Sequence, residues 1–277
     1  MLRILITLVL GYVIALLILR IFESAFIFFP NYPGRLEGNW HPHNLPIQDV
    51  WLTSSDGTKL HAWWIPQDPA HFTFLAFHGN AGNMADRAPV YAFLRDMPAN
   101  VFALEYRGYG KSEGAPSEDG LYRDADASLH YLTNNLRINP KQIVIFGQSL
   151  GTAVASQLAA NNDVGGVVLE APVPSAALMA RRVFWFLPGM SLLVTGQLNT
   201  IGNVRRTNGP KFIVHCTEDP VIPPDLEDLV YEAAQSPKTI LRIQGSCHEE
   251  ASLISPTRYR AALQEFLKTL DTQGTQP

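Results

Sequence analysis

The sequence predicts an α/β fold: a mostly parallel central sheet with helices on both faces, a small cap, and an N-terminal transmembrane helix. Three observations predict it. From about residue 47 onward, short β-rich runs alternate with longer amphipathic runs, which is the pattern of a doubly wound sheet. A Gly-x-Ser-x-Gly pentapeptide, 147–151, falls between one such strand and one such helix. Residues 4–19 form an apolar run without charge between Arg3 and Arg20. With 277 residues, the chain suits one large domain better than two.

The N-terminal run is short for a membrane span, which needs about 20 residues of helix. Ile21 and Phe22 extend it, and the Arg20 guanidinium can reach the headgroups on its apolar stem. A cleaved signal peptide is the rival reading. The run exceeds the usual apolar core of roughly 7–15 residues, and Glu23-Ser24-Ala25-Phe26 is a poor cleavage site, so a retained anchor is preferred. A buried core helix fits less well, because the segment has no polar face. The expected location is therefore the membrane, single-pass. Arg3 lies before the run and Arg20 and Arg35 after it, so the side on which the domain lies is open. The expected organisation is an anchor over 1–29, a proline-bearing linker over 30–46, an α/β domain over 47–270 with a cap at about 174–210, and a polar tail over 271–277.

Within the domain, Val50 to Thr53 and Lys59 to Ile65 read as a hairpin across the Asp56-Gly57 turn. Phe72 to Phe77 is a continuous apolar run, as expected of a parallel strand buried on both faces. A helix should begin near Asp86, followed by a strand over Val101 to Tyr106. Asp119 to Leu136 has helical period, with Leu121, Ala125, Leu129 and Leu132 on one stripe. Ile143 to Phe146, Val167 to Leu169, Phe212 to Val214 and Ile240 to Ile243 read as the remaining strands. Leu150 to Ala160, Pro224 to Ala234 and Pro256 to Leu270 read as helices.

Composition narrows the function. Lys plus Arg is 21 and Asp plus Glu 25, a net charge of −4, so nothing favours nucleic acid, whose phosphates need clustered positive charge. The two cysteines, Cys216 and Cys247, lack zinc-site spacing. There is neither a ligand cluster at metal spacing nor a phosphate-binding glycine fingerprint, so no cofactor is implied.

Gly147-Gln148-Ser149-Leu150-Gly151 carries the chemistry. A sharp turn from strand to helix lifts the Ser149 hydroxyl above the sheet, and glycines on both sides keep its neighbours from crowding it. The helix that starts at Leu150 points its positive end at the site and favours an oxyanion. Serine needs a base held by an acid. At such a turn the acid and then the histidine follow in chain order, each after a later strand. His248 follows the last strand, and Asp219 follows the one before it. Glu218 and Glu170 are the rival acids, and Asp219 is preferred for its strand position. His41, His43, His61, His71 and His130 precede the nucleophile and read as surface or packing residues, and His215 as a local hydrogen-bonding partner. The oxyanion needs two backbone donors: the amide of Leu150, and one from the loop after Phe77, for which Asn80 is chosen.

His78-Gly79-Asn80-Ala81-Gly82-Asn83, the Tyr106 to Gly114 segment, Pro116-Ser117-Glu118 and Gly147 to Gly151 together resemble the membrane-anchored branch of the α/β-hydrolase superfamily, with its serine aminopeptidase-like and lipid-cleaving domains. The resemblance covers about Val50 to Leu270. It implies the α/β-hydrolase fold and a triad of Ser149, Asp219 and His248. It also implies that Tyr106-Arg107-Gly108-Tyr109-Gly110 shapes the pocket without taking part in the chemistry. This chain departs from the pattern at Cys216, where glycine is usual, and at Cys247, just before the base. The two loops converge, so a disulfide is one reading, given Cα atoms within about 7 Å, and it would place the domain in an oxidising compartment. Two buried thiols is the preferred reading.

The stretch Pro174 to Pro210 is the natural cap. Its apolar residues, Val183 to Leu187 and then Leu192, Leu193 and Val194, beside Arg181 and Arg182, fit two readings equally. One is a lid that lines an acyl pocket or touches the bilayer. The other is an ordinary cap packed on the core. The expected function is a membrane-anchored serine hydrolase that cleaves acyl esters, lipid-like ones included, through an acyl-enzyme, on a small-molecule or lipid acyl substrate. A serine peptidase or an acyl-protein thioesterase uses the same residues. The non-enzyme alternative is a silent membrane-anchored scaffold or lipid-binding module, which has no use for a positioned base.

Overall fold

A computed structural model describes residues 2–21, 23–187, 194 and 196–273. Its centre is a sheet of eight strands: β1 (Gln48–Thr53), β2 (Lys59–Ile65), β3 (Phe72–Phe77), β4 (Ala99–Leu104), β5 (Ile143–Gln148), β6 (Gly166–Glu170), β7 (Lys211–Cys216) and β8 (Lys238–Ile243). Their order is β1-β2-β4-β3-β5-β6-β7-β8. β2 pairs antiparallel with β1 and β4, and every later pairing is parallel. The hairpin turn forms at Asp56-Gly57 as expected, with the Ser54 N–H donating to the Thr58 carbonyl at 2.9 Å.

β3 and β5 are buried along their whole length because helices cover both faces of the sheet. On one face, α3 (Ala88–Arg95) and a long C-terminal helix (Pro256–Gln273) pack Tyr91, Leu94, Tyr259, Leu263 and Phe266 against β3, β6 and β7. On the other, α4 (Glu118–His130) and α5 (Leu150–Asn161) pack Leu121, Ala125, Val154 and Leu158 against Phe77, Phe102 and Ile145. The register brings the carboxyl ends of the strands level. Phe77 pairs with Leu104 and Gly147, Gln148 with Glu170, and Cys216 with Ile243. The loops that carry Asn80, Ser149, Asp219 and His248 therefore leave from one edge, where sites collect in open α/β sheets.

Three elements differ from expectation. β4 ends at Leu104, two residues short of Tyr106, although the Glu105 N–H still donates to the His61 carbonyl of β2 at 3.0 Å. The helix expected near Asp86 is a single 3-10 turn, Met84–Arg87, before α3. The helix expected over Asp119 to Leu136 is α4, capped by the Ser117 hydroxyl, and then a wide turn over Tyr131–Asn135.

The N-terminal segment forms α1 (Leu2–Ile21) and a short α2 (Glu23–Ile27). Among the described residues, no helix is long and apolar enough to cross a membrane, so the expected transmembrane span is not found. α1 nonetheless exposes Leu2, Ile4, Leu8, Ile14 and Leu17. The stretch 30–46, read as a linker, lies packed on the domain: Leu45 is buried, and the Trp40 ring meets Trp63 edge-on at 5.8 Å.

Candidate active site

Ser149 sits at φ 48° and ψ −116°, a conformation rare for a residue with a side chain. The flanking glycines make it possible. A Cβ on Gly147 would lie 2.4 Å from the Gly151 carbonyl oxygen, and one on Gly151 would lie 2.2 Å from that of Phe77. The Ser149 N–H donates to the Glu170 carbonyl at 2.9 Å, which pins the turn to β6.

The structure brings the three predicted side chains together. His248 Nε2 lies 2.9 Å from Ser149 Oγ, and His248 Nδ1 lies 2.7 Å from Asp219 Oδ2. The other Asp219 oxygen accepts the N–H groups of Val221 and Ile222 at 2.7 and 2.9 Å, so the carboxylate cannot rotate freely. Burial pulls the His248 pKa down, but the hydrogen bond and charge of Asp219 outweigh it and hold the ring above the ordinary histidine value. An imidazole tuned this way is a stronger base than a free one.

The rival acids lie elsewhere. Glu170 is fully buried behind the site, where it accepts the Ala251 N–H at 3.2 Å and the Tyr259 hydroxyl at 3.0 Å. Burial pushes its carboxyl up to about 8. Glu218 is exposed. His215 faces Glu227 at 2.9 Å in a separate buried pair, and His61 faces Asp49 at 2.5 Å.

Cys216 and Cys247, read as two thiols, form a disulfide with Cα atoms 5.6 Å apart. It joins the end of β7, three residues before Asp219, to the residue before His248. The loops that carry Asp219 and His248 are thereby tied to each other.

Asn80 and Leu150 flank Ser149 on the pocket wall. Among the described residues neither backbone N–H has an acceptor, so both are free to serve a substrate oxygen. The loop that carries Asn80 is supported from behind. His78 Nε2 lies 3.0 Å from the buried Glu105 carboxylate, whose other oxygen accepts the Met84 N–H at 3.2 Å. The Tyr106 hydroxyl donates to the His78 carbonyl at 3.0 Å, and that of Tyr109 to Asn80 Oδ1 at 3.2 Å. The Tyr106 to Gly110 segment, read as shaping the pocket, is thus a buttress beneath the loop and lines none of the cavity. Arg107 pairs with Asp56 and Asp124 at 2.7 Å each and serves packing. Sequence reading missed Glu105. Its signal was a lone carboxylate at the end of an apolar strand, which must find partners when buried.

The site opens into a cavity of about 590 Å³. α6 (Ala176–Val183), from the cap, supplies Met179, Ala180 and Val183, and the N-terminal segment supplies Phe26, Ile27 and Phe29. Arg87 and Glu249 face it as an ion pair, 2.6 Å apart. Gly189, Leu192 and Leu193 of the expected cap lie outside the described residues. Among the described residues, no group of three His, Cys, Asp or Glu is placed to hold a metal ion.

Comparison with known proteins agrees with this fold. The family described as alpha/beta hydrolase fold matches residues 73–191. The alpha/beta hydrolase domain-containing protein WAV2 of Arabidopsis thaliana is 34% identical over 260 residues, covering 87% of this chain and 82% of that protein. The uncharacterized protein YfhR of Escherichia coli K12 is 33% identical over 222 residues, 76% of each chain. Alpha/beta hydrolase domain-containing protein 17B of Xenopus tropicalis is 30% identical over 223 residues, covering 80% of this chain and 75% of that one. Among solved structures, the Pyrococcus furiosus esterase Pf2001 superposes with a TM-score of 0.71 at 22% identity, over 88% of this chain and 98% of that one. At that identity the likeness speaks for the fold.

Proposed function

Because the chain belongs to the α/β-hydrolase family, we propose that it is a membrane-associated serine hydrolase that cleaves acyl esters through a triad of Ser149, Asp219 and His248. The single observation that carries this reading is the unbroken relay from Asp219 through His248 to Ser149, at 2.7 and 2.9 Å. His248 Nε2 takes the proton of Ser149 Oγ as that oxygen attacks the acyl carbonyl. The carbonyl oxygen becomes an oxyanion held by the N–H groups of Asn80 and Leu150. His248 returns the proton to the departing alkoxide, and an acyl-Ser149 ester remains. His248 then deprotonates a water, which attacks the acyl carbon and releases the acid and free Ser149. Asp219 keeps its charge throughout and stabilises the imidazolium. Each oxyanion donor is worth about 10²–10³ in kcat.

The pocket supports an acyl substrate. Its walls are mostly aliphatic and aromatic, and its polar groups lie at the Ser149 end, at Arg87–Glu249 and at Glu23. The N-terminal helix supports membrane association, because α1 is apolar on every side and its only charges are Arg3 and Arg20. The cap adds exposed Val183, Trp185 and Phe186 next to Arg181 and Arg182, a composition suited to the bilayer interface. A series of p-nitrophenyl esters from two to sixteen carbons tests the reading. The expected result is Ser149-dependent turnover with an optimum at a medium or long chain. Turnover of none of them by folded protein would reject it.

A further inference from the structure

Residues 28–37 grip the loop that carries Asn80. Phe28 is buried in the core beside Phe77 and Tyr109, which fixes where the segment lies. The Phe29 N–H donates to Asn80 Oδ1 at 3.1 Å, the same oxygen that accepts the Tyr109 hydroxyl. Phe29 also forms a parallel β-bridge with Ala81, and the Gly82 N–H donates to the Tyr32 carbonyl at 2.8 Å. The Asn83 amide nitrogen donates to the Glu37 carbonyl at 2.7 Å. Upstream, Glu23 pairs with Arg20 of α1 at 3.3 Å and accepts the Gly196 N–H of the cap at 2.9 Å. One stretch of chain therefore joins α1, the cap and the loop.

We propose that Phe29–Tyr32 is a strap that positions the oxyanion hole, so that the connection between α1 and the domain is part of the catalytic apparatus. The inference rests on the serine-hydrolase reading. A backbone donor stabilises an oxyanion only if it is already aimed at the place where the charge forms. Tyr106 and the His78–Glu105 pair fix the start of the loop, at His78. Asn80 lies two residues further on, and among the described residues its side chain is hydrogen-bonded by Tyr109 and by Phe29 alone. Releasing the strap leaves the Asn80 N–H free to swing off the oxyanion position. A short ester gains little from that donor in its ground state, so the loss belongs to kcat and not to KM.

The test uses full-chain protein in detergent and p-nitrophenyl butyrate. Wild type and Ser149→Ala come first. Absent turnover, or turnover that survives Ser149→Ala, sinks the hydrolase reading and the strap together. Given Ser149-dependent turnover, Asn80→Ala keeps the backbone donor but loses the grip, and kcat should fall about tenfold with KM within about twofold. Phe29→Ala removes the ring and keeps the N–H, whereas Phe29→Pro removes both. The proline variant should have a kcat about tenfold below that of the alanine variant. Tyr109→Phe should cost less than Asn80→Ala, because the Phe29 N–H still holds Oδ1. The strap is overturned, with the hydrolase reading intact, if Asn80→Ala keeps a wild-type kcat or if the losses fall on KM alone. Should Phe29→Pro not fold, Asn80→Ala against Tyr109→Phe, both melting near wild type, decides between these outcomes.

Discussion

Replacing Cys216 and Cys247 by alanine, singly and together, separates a cross-link from two packed thiols. The bridge spans 31 residues. The chain-entropy relation for a loop of that length gives about 3–4 kcal/mol of stabilisation. Loss of each buried sulfur atom adds about 1 kcal/mol. If the sulfurs are bonded, either single variant forfeits the whole cross-link, and the double variant costs little more than one single. If they are separate thiols, each single variant costs about 1 kcal/mol and the double costs their sum. Urea melts followed by circular dichroism read these energies. For a domain of this size, the cross-linked case corresponds to a fall of roughly 8–20 °C in Tm. Activity supplies a second reading, because the bridge ties the Asp219 loop to the His248 loop and its loss should lower kcat. Additive single variants with unchanged kcat would show that no bridge holds the two loops.

Asp219→Asn should lower kcat by about 10⁴ while the fold persists, measured on the same esters. In wild type, kcat/KM should rise with pH through the His248 pKa, which Asp219 holds above the ordinary value of about 6.5. The stability from this pairing is fully present below about 6.5 and is lost as pH rises through the folded value, so Asp219→Asn should flatten that part of a Tm-against-pH curve. Glu170, with its pKa raised to about 8, weakens the fold as pH climbs from its ordinary value toward 8. Glu170→Gln should remove a slope of up to about 1.4 kcal/mol per pH unit in that window, measured by urea melts from pH 5 to 9. Gly151→Ala drives a methyl group to 2.2 Å from the Phe77 carbonyl oxygen and should destabilise the protein by about 3 kcal/mol, read from the same melts.

Much of the fold was legible because buried parallel strands write themselves as apolar runs. Phe72–Phe77 forms such a strand with the expected bounds, and the antiparallel Lys59–Ile65 was legible instead from the Asp56-Gly57 turn before it. Ser149 was legible because its turn demands glycines at fixed offsets. His248 and Asp219 were legible because each follows a strand of a known order. What tertiary contacts decide was not legible. The role of Glu105 just past β4 was hidden because its carboxylate partners, His78 and Met84, are far away in sequence. The 30–46 stretch looked like a linker because its hydrogen bonds go to the Asn80 loop and to Gly110 and leave no periodic pattern of their own. The cysteine pair was ambiguous because spacing along the chain says nothing about how close two loops come in space.

The most direct measurement is covalent labelling by a fluorophosphonate probe, followed by peptide mapping, on wild type and on Ser149→Ala. An activated nucleophile at position 149 predicts a single phosphonylated serine there and no labelling of the variant. Folded wild type that resists the probe, or equal labelling of the variant, would contradict it.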